Sequence, residues 1–473
     1  MSRLVRLLAA VGAGVALFAA PATAFAHALN PTYESQLPLV VYLAGAGLAV
    51  ALSFAFVLIR DLRAEPPPAN PATFELPRPV AIGLRAVGLV GWIWIIAQGV
   101  VGGSSDADVG TLFVWVYTWV GVAMLSAFVG PVWYWLDPFS TLHDLGSWIL
   151  ARLGIRGWQP TDYPAALGRW PAIAGFAFVV WLELVLKGGA GRTLFIAVAG
   201  YTALTLALMA QFGRDAWRTN GETFSVWFRL LNRLAPVALA DVSGRLRRRA
   251  FAAGLLEPGW SVADVVLVAL AAGSILFDGL SQTTPWYAVF GFPAAGVATL
   301  QLAVFLGIVV VAALGVSRLV GVPSTGAGLL PIAVGYLVAH YLTYLLIDGQ
   351  RIIIAISDPL QQGSDIFGTA FYQPTGAFLP PGLVWTFQLV AVVGGHMVGA
   401  WGGHVSAARG SARDMRLRQL PLAATMVALT TITLWSLGQT IVVAPPATAA
   451  APPVIAAPAV VALPAAGHRR DTG

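Results

Sequence analysis

Ten apolar stretches of about 20 residues each constrain this chain more than any other feature of its sequence. A helix of that length crosses the hydrocarbon core of a bilayer, which is about 30 Å thick. Only 10% of the residues are charged, whereas soluble domains have roughly 25%, and the mean hydropathy is +0.78. The sequence therefore predicts an all-α polytopic membrane protein with one helical domain over residues 27–442. The predicted spans lie near residues 37–59, 80–102, 110–134, 170–187, 192–212, 262–283, 293–316, 328–354, 383–406 and 420–442.

The first 26 residues have the pattern of a secretory signal peptide. Arg3 and Arg6 precede an apolar run, and a small-residue motif ends at Ala26. Cleavage there would leave His27 as the first residue of the mature chain, on the outer side of the membrane. An uncleaved first span is the alternative. A terminal His offers both an amine and an imidazole, so His27 is also a candidate metal ligand.

Positive charge falls mainly on alternate loops, which predicts the orientation of the spans. The outer loops carry mostly acidic residues, and Lys187 and Arg192 are the one pair against this trend. Ten spans then leave both ends of the mature chain outside. The pI of about 9.8 reflects these loops and is no evidence for nucleic acid. The arginines of the inner loops are Arg60, Arg63, Arg152, Arg156, Arg169, Arg214, Arg218, Arg229, Arg233, Arg245, Arg247, Arg248, Arg249, Arg318, Arg409, Arg413, Arg416 and Arg418.

Several segments between and after the spans have readable patterns. Asp137 followed by Pro138 predicts the start of a helix on the inner membrane surface. Residues 222–235 combine an apolar face with two arginines, which is typical of an interfacial helix. Residues 62–79 form a Pro-rich linker. The Ala/Pro-rich residues 443–473 are predicted to be a disordered tail.

The eighth span carries a polar stripe. Tyr336, His340, Tyr344 and Asp348 are four residues apart, and Arg351 follows. On a helix they share one face. Counted from the predicted start of the span, His340 lies near the midplane, while Asp348 and Arg351 lie near the outer surface. An ionisable residue inside a span indicates a functional site by default.

Three other spans bring ionisable residues to similar depths. His396 lies near the middle of the ninth span, on a helix whose Gly395, Gly399 and Gly403 form a ridge for close helix packing. Asp278 lies in the outer half of the sixth span. Glu183 lies near the outer end of the fourth span, where pairing with Lys187 at i+4 is the structural alternative. Helix–helix hydrogen bonds, ion pairs and caps are the alternatives for the other residues.

These residue types suit a divalent metal. The chain has no Cys, so its nitrogen and carboxylate ligands fit zinc, copper, manganese or iron, which the sequence does not distinguish. The candidate ligands are His340, His396, Asp278, Glu183 and His27.

Several motifs together resemble one family. They are FDGLSQTTPW at 277–286, AHYLTYLLIDGQ at 339–350, ISDPLQQGSDIFG at 356–368, GGHMVGAWGGH at 394–404 and RLLNRLAPV at 229–237. With the signal peptide and His27, they resemble the bacterial polytopic membrane proteins labelled fenitrothion hydrolase. The resemblance covers most of the chain except residues 62–79 and the tail, and it implies a location in the bacterial plasma membrane.

The resemblance implies hydrolysis of an organophosphorus triester at its P–O–aryl bond, with release of a nitrophenol. The sequence has no GxSxG, HExxH, HxH or P-loop motif. The polar residues are compatible with such chemistry, because a metal on His340, His396 and a carboxylate would activate water. Asp278 or Asp348 would then act as ligand or general base, and Arg351 would stabilise developing charge. An apolar substrate would enter from the bilayer.

Two other functions use the same residues. A transporter or a metal- or proton-handling permease would use them as a relay and needs polar lining on both sides of the site. The carboxylates lie in the predicted outer half, which favours a one-sided site. The third possibility is an assembly factor for a metalloprotein, with His27 and the outer loops as its working surface.

Overall fold

The structure, a computed structural model, describes residues 39–59, 72–103, 107–155, 159–188, 191–291, 293–408 and 420–439. The predicted signal peptide, His27 and the predicted tail lie outside these residues, as does most of the predicted linker. The described residues are overwhelmingly helical. Their long helices are α1 (Leu39–Ile59), α2 (Arg78–Val101), α3 (Val109–Phe128), α5 (Pro138–Arg152), α6 (Trp170–Leu184), α7 (Arg192–Phe212), α10 (Val262–Ser281), α12 (Ala295–Val320), α13 (Val322–Asp348), α15 (Pro381–Ala408) and α16 (Leu420–Leu437).

Short elements connect these helices. The short helices are α4 (Trp133–Leu136), α8 (Arg214–Asn220), α9 (Thr223–Leu231), α11 (Thr284–Phe290) and α14 (Ile352–Ser357). Three 3₁₀ turns occupy Ala165–Leu167, Ala253–Leu256 and Gly349–Arg351. Three short strands, β1 (Thr73–Phe74), β2 (Val237–Leu239) and β3 (Leu246–Arg248), form an antiparallel sheet in the order β1-β3-β2.

The prediction of an all-α polytopic membrane protein is confirmed. Within the described residues, eight helices have the length and apolar composition to cross a membrane: α2, α3, α7, α10, α12, α13 continued to Ser357, α15 and α16. The other two predicted spans correspond to α1 and α6. Helix α6 has 15 residues and is about 22 Å long, which is shorter than the hydrocarbon core.

Helices α10 and α13 form the centre of the bundle. Residues 263–277 of α10 and 324–339 of α13 are all buried. Helix α12 lies at the periphery instead. Its exposed apolar residues recur at intervals of three or four and so form one face, as expected for contact with lipid. They are Val297, Leu300, Val304, Ile308 and Val311.

The predicted glycine ridge on α15 packs against α13. A Cβ atom on Gly395 would lie 2.6 Å from the carbonyl oxygen of Pro331, and one on Gly399 would lie 2.3 Å from that of Gly328. Both distances are below van der Waals contact, so only glycine allows the two backbones to approach this closely. The ridge functions as predicted.

Two local predictions have different outcomes. Asp137 caps α5, since its side chain accepts hydrogen bonds from the backbone N–H groups of Phe139 and Ser140 at 2.9 and 3.2 Å. The interfacial helix expected over residues 222–235 is instead the shorter α9, whose apolar side chains are buried within the protein. Its apolar positions form one broad face opposite Ser225 and Arg229, and this face packs inside the protein rather than on the membrane surface.

The sequence did not predict the π-helical part of α3. The eleven residues Leu112–Val122 are π-helical, and α-helical turns precede and follow them. Such segments are rare, usually a single turn, and often lie at functional sites. Trp119, within this segment, is one of the residues that border the site described next.

Candidate functional site

The candidate site lies between helices α6, α10 and α13. Glu183 is in the last turn of α6, and Asp278 is in the last turn of α10. His340 and Tyr341 lie near the middle of the 36-residue helical segment Val322–Ser357. We call these four residues the polar cluster. Three of them, from three different spans, were predicted site residues, and the structure brings them together.

The local sequence of α10 determines where Asp278 lies. A capping box fixes the start of the helix: the Ser261 hydroxyl accepts from the Asp264 N–H at 3.2 Å, and Asp264 accepts from the Ser261 N–H at 2.8 Å. Apolar residues then continue to Phe277. Asp278 follows Asp264 by 14 residues and so lies about 21 Å further along the helix.

His340 and Asp278 are in direct contact. Nε2 of His340 lies 2.8 Å from Oδ2 of Asp278, while Oδ1 of Asp278 accepts from the Gln282 amide at 2.6 Å. An ionised carboxylate only accepts hydrogen bonds, so Nε2 carries the proton and Nδ1 of a neutral imidazole is then free to accept one. The two side chains retain 21% and 15% exposure, so the pair is not sealed from small molecules.

Tyr341 joins the two acidic residues. Its hydroxyl oxygen lies 3.1 Å from Oδ2 of Asp278 and 3.2 Å from Oε1 of Glu183. A phenol has a single proton to donate. Both hydrogen bonds can therefore exist together only when one of the carboxyl groups also carries a proton. The cluster is arranged to hold a proton between Glu183 and Asp278.

Glu183 does not form the ion pair with Lys187 that was the structural alternative. Lys187 lies beyond the end of α6 with φ of 54°, and no ion pair joins it to Glu183 in the described part of the chain. The side chain of Trp119, from the π-helical segment, lies beside the Glu183 carboxyl group. Glu183 therefore belongs to the polar cluster and not to a local helix pair.

The remaining nitrogen of His340 lies near Gly279 and α16. A Cβ atom on Gly279 would lie 4.0 Å from Nδ1 of His340 and 2.8 Å from the Ser436 hydroxyl oxygen. Glycine at this position therefore allows α16 to pack closely against α10 beside His340. The sequence analysis identified neither Gly279 nor Ser436, because their position depends on how α16 packs against α10.

His396 lies apart from the polar cluster. Nδ1 of this buried side chain donates to the carbonyl of Val392 at 2.7 Å, and its ring lies 5.9 Å from that of Tyr336. Tyr336, the first residue of the predicted stripe, donates to the carbonyl of Leu429. Among the described contacts of His396 there is none with His340 or Asp278.

Asp348 and Arg351 also lie outside the cluster. Nε of Arg351 donates to Asp348 at 3.0 Å, and this pair surrounds the 3₁₀ turn at the end of α13. Asp348 follows His340 by eight residues, which places it about 12 Å further along the helix. The stripe is thus divided between the cluster and a local ion pair.

The candidate metal ligands among the described residues form hydrogen bonds, and the divalent metal stays a prediction. The described residues contain no group of three or more His, Cys, Asp or Glu that could hold a metal ion. His340 and Asp278 use their facing atoms on each other, and His396 bonds to its own helix. The described residues fit a hydrogen-bonded acid–base cluster better than a metal centre.

An apolar cavity of about 730 Å³ lies in the same helix bundle, and none of the four residues of the polar cluster is among the described residues that line it. Its walls come from α2, α3, α6 and α7 with part of α13. Leu182 and Leu345 line it, and they are close in sequence to Glu183 and Tyr341. Its lining is almost entirely apolar and aromatic, as in pockets that bind hydrophobic small molecules.

Comparison with protein-family models, curated proteins and solved structures gives no match for this chain. Its function must be argued from the polar cluster and the cavity. Tyr341 is the residue of the cluster that the sequence did not single out, because it lies off the stripe formed by Tyr336, His340, Tyr344 and Asp348. Its position directly after His340 was the available signal.

Proposed function

We propose that the chain is a membrane-embedded hydrolase of apolar esters in which His340, oriented by Asp278, acts as the general base. The observation that carries the proposal is the 2.8 Å contact between Nε2 of His340 and Oδ2 of Asp278, inside a bundle that also contains an apolar cavity. The resemblance noted above supplies the substrate class, an organophosphorus triester with an aryl leaving group.

The cluster supports hydrolysis as follows. Asp278 holds the proton on Nε2 of His340, so Nδ1 accepts a proton from water as the water oxygen attacks phosphorus. The P–O–aryl bond breaks, and the aryl oxygen leaves as a phenolate. The proton held between Glu183, Tyr341 and Asp278 neutralises the leaving oxygen. Proton transfer by a positioned side chain typically accounts for about 10²–10⁴-fold of the rate.

The apolar cavity supports a lipid-soluble substrate. Its volume of about 730 Å³ is large enough for an aryl triester, because ligand pockets commonly measure about 300–1,000 Å³. Such a substrate partitions into the bilayer. It would reach the cluster between helices, with its aryl ring among Trp115, Leu182 and Leu345.

We further propose that the protein resides in the bacterial plasma membrane. Its signal peptide would be removed, and the mature N-terminus would lie outside. In an alternative version of the mechanism the site holds a divalent metal. Asp278, His340 and Glu183 would then be its ligands and would give up their hydrogen bonds within the polar cluster. No step of the mechanism above requires it.

The test compares hydrolysis by purified variants. Wild-type protein in detergent should release nitrophenol from an aryl organophosphate, and His340→Gln and Asp278→Asn should lose about 10²–10⁴-fold of kcat/KM. His143→Gln serves as the control, because His143 lies near Asp144 in α5 and outside the cluster. Metal analysis of the same samples tests the metal form. Equal rates in all variants, or no release by the wild type, would reject the proposal.

A proton-handling permease is the second candidate, and one observation favours it. Glu183, Tyr341, Asp278 and His340 form a continuous chain of hydrogen bonds across three helices, along which a proton can move. In proteoliposomes, a permease would move protons across the membrane, Glu183→Gln would abolish this proton flux, and no ester would be hydrolysed. A hydrolase would hydrolyse the ester and show no proton flux.

A further inference from the structure

A second pocket lies at the opposite end of α6 and α10 from the polar cluster. Arg169, just before α6, pairs with Asp264 near the start of α10. These two residues precede Glu183 and Asp278 by 14 positions each, so the two ends are about 21 Å apart. A pocket of about 360 Å³ opens here. We call it the arginine pocket, since its lining includes Arg169, Arg218, Arg229, Arg233, Arg247 and Arg249.

Carboxylates neutralise only some of these arginines. Asp264 pairs with Arg169, Asp137 lies 3.1 Å from Arg218, and Glu257 lies 2.8 Å from both Arg247 and Arg249. Two more carboxylates line the pocket and have other partners. Asp215 pairs with Arg214 at 2.9 Å, and the exposed Asp241 accepts from Ser243 at 2.6 Å.

Arg229 and Arg233 have no carboxylate in direct contact within the described structure. Arg229 donates to the carbonyl of Thr219, and Arg233 donates to the carbonyls of Gly254 and Glu257 at 3.0 Å each. Burial, together with the nearby Arg169, lowers the pKa of Arg229 to about 10. The carboxylate nearest in effect, Asp264, is already paired with Arg169, so the charge of Arg229 is only partly compensated and a bound anion would stabilise it.

A second, independent feature of the pocket indicates a ligand. Ser126 lines it and is fully buried, yet its hydroxyl has no hydrogen-bond partner within the described protein. Buried polar groups are normally hydrogen-bonded, so a hydroxyl left without a partner beside partly compensated arginines suggests a site for an acceptor.

We propose that the arginine pocket binds a phosphate-bearing anion. Guanidinium groups bind phosphate oxygens through paired, charge-assisted hydrogen bonds, and the Ser126 hydroxyl would donate one more. The anion's source is either free phosphate or the headgroup of an anionic lipid. The pocket exceeds the volume of a phosphate alone and has room for a headgroup.

The first experiment measures binding of inorganic phosphate to the purified full-length protein in detergent, by calorimetry and by the shift in Tm. Arg229→Gln should weaken phosphate binding by about tenfold or more, since a charge-assisted contact is lost. Arg248→Gln is the matched control, because Arg248 is exposed on β3 and does not line the pocket. Its affinity should equal that of the wild type.

A second variant and a second source complete the test. Ser126→Ala removes a hydroxyl that has no hydrogen-bond partner among the described residues, so the variant should fold normally and bind phosphate a few-fold more weakly. Nanodiscs of phosphatidylglycerol, compared with phosphatidylcholine, should raise Tm in an Arg229-dependent manner if a lipid headgroup is the source. The proposal fails if neither phosphate nor anionic lipid affects the wild type. It also fails if Arg248→Gln weakens binding as much as Arg229→Gln.

Discussion

Tyr341 has one hydroxyl proton and two acidic neighbours. The hydroxyl lies 3.1 Å from Asp278 and 3.2 Å from Glu183, so two fully ionised carboxylates would share this single donor at short range. Like charges this close repel one another, and burial strengthens the repulsion. The cluster therefore favours states in which a proton remains bound, which suits either a hydrolase or a proton-conducting protein.

Tyr341→Phe should separate the hydroxyl's role from that of the ring. Loss of the hydroxyl leaves both acidic groups without their common partner, so stability should fall by about 1–3 kcal/mol and hydrolysis by at least tenfold. The control is Tyr344→Phe, one turn away, whose hydroxyl makes no hydrogen bond among those described for it. The assay is nitrophenol release with parallel thermal unfolding. Similar losses in the two variants would contradict the bridging role.

Glu257 gives the protein a predictable sensitivity to acid. Burial alone would raise the pKa of Glu257, but Arg249 and Arg247 outweigh burial and lower it. The folded-state pKa thus lies below the unfolded value of about 4.3. The stabilisation is complete above that pH and is lost as pH falls through the folded pKa.

Glu257→Gln should therefore be less stable than the wild type at pH 7, by about 1–3 kcal/mol. The difference should shrink as pH falls below about 4.3, because protonation removes the same ion pairs from the wild type. Chemical unfolding of both proteins between about pH 3 and about pH 7, which lie on either side of the unfolded pKa, measures the difference. A difference that stays constant with pH would show that the ion pairs do not cause it.

The depth of ionisable residues along the predicted spans identified three of the four residues of the polar cluster. Glu183, Asp278 and His340 were singled out because ionisable side chains in apolar spans need partners, and they do partner one another. His396, Asp348 and Arg351 satisfied the same criterion but bond locally. Sequence spacing specifies the face of one helix and cannot specify which helix that face meets.

At the level of helices, the contact of α13 with α15 depends on glycine. The backbone of α15 approaches that of α13 so closely that a Cβ atom at Gly399 would lie 2.3 Å from the Gly328 carbonyl oxygen. Gly394, on the same helix, has no atom within 4 Å of its corresponding position. The two positions therefore form a natural pair for comparison.

Gly399→Ala should destabilise the protein by about 1–3 kcal/mol or more, because the added methyl group meets backbone that cannot rotate away. Gly394→Ala should be neutral or slightly stabilising, since alanine favours helix over glycine by up to about 1 kcal/mol. The free energy of unfolding of both variants, measured in the same detergent, tests this prediction. Equal stability of the two would mean that the helices are not in close contact at Gly399.

The helices themselves were largely predictable and their deviations were not. Apolar runs identified the long helices, and Asp137 marked the start of α5. The π-helical segment Leu112–Val122 has no local signal, since its wider turn depends on packing with neighbouring helices. The burial of α9 was also missed, because an apolar face opposite Arg229 has the same sequence pattern whether it packs on a membrane surface or within the protein.

For the whole molecule, the orientation of the helices in the membrane can be tested directly. The chain has no Cys, so a thiol reagent would label only a cysteine that is introduced at a chosen position. Ser364 and Ser243 are both exposed, and the three helices α10, α12 and α13 separate their loops. Charge distribution predicts Ser364 outside and Ser243 inside.

In intact cells, a membrane-impermeant maleimide should label Ser364→Cys and leave Ser243→Cys unlabelled until the membrane is opened. The serine-to-cysteine change is nearly isosteric, so each variant serves as the control for the other. The reverse labelling pattern would show that the protein has the opposite orientation in the membrane. Labelling of both in intact cells would mean that the number of crossings between them is even.

The length of α6 has a consequence for how the protein sits in lipid. At 15 residues, or about 22 Å, it is about 8 Å shorter than the hydrocarbon thickness. Such a mismatch is met by thinning of the adjacent bilayer or by a water-filled indentation. If α6 crosses the bilayer, we expect Glu183, in its last turn, to lie below the level of the surrounding headgroups, at a depth that depends on the acyl-chain length of the lipid.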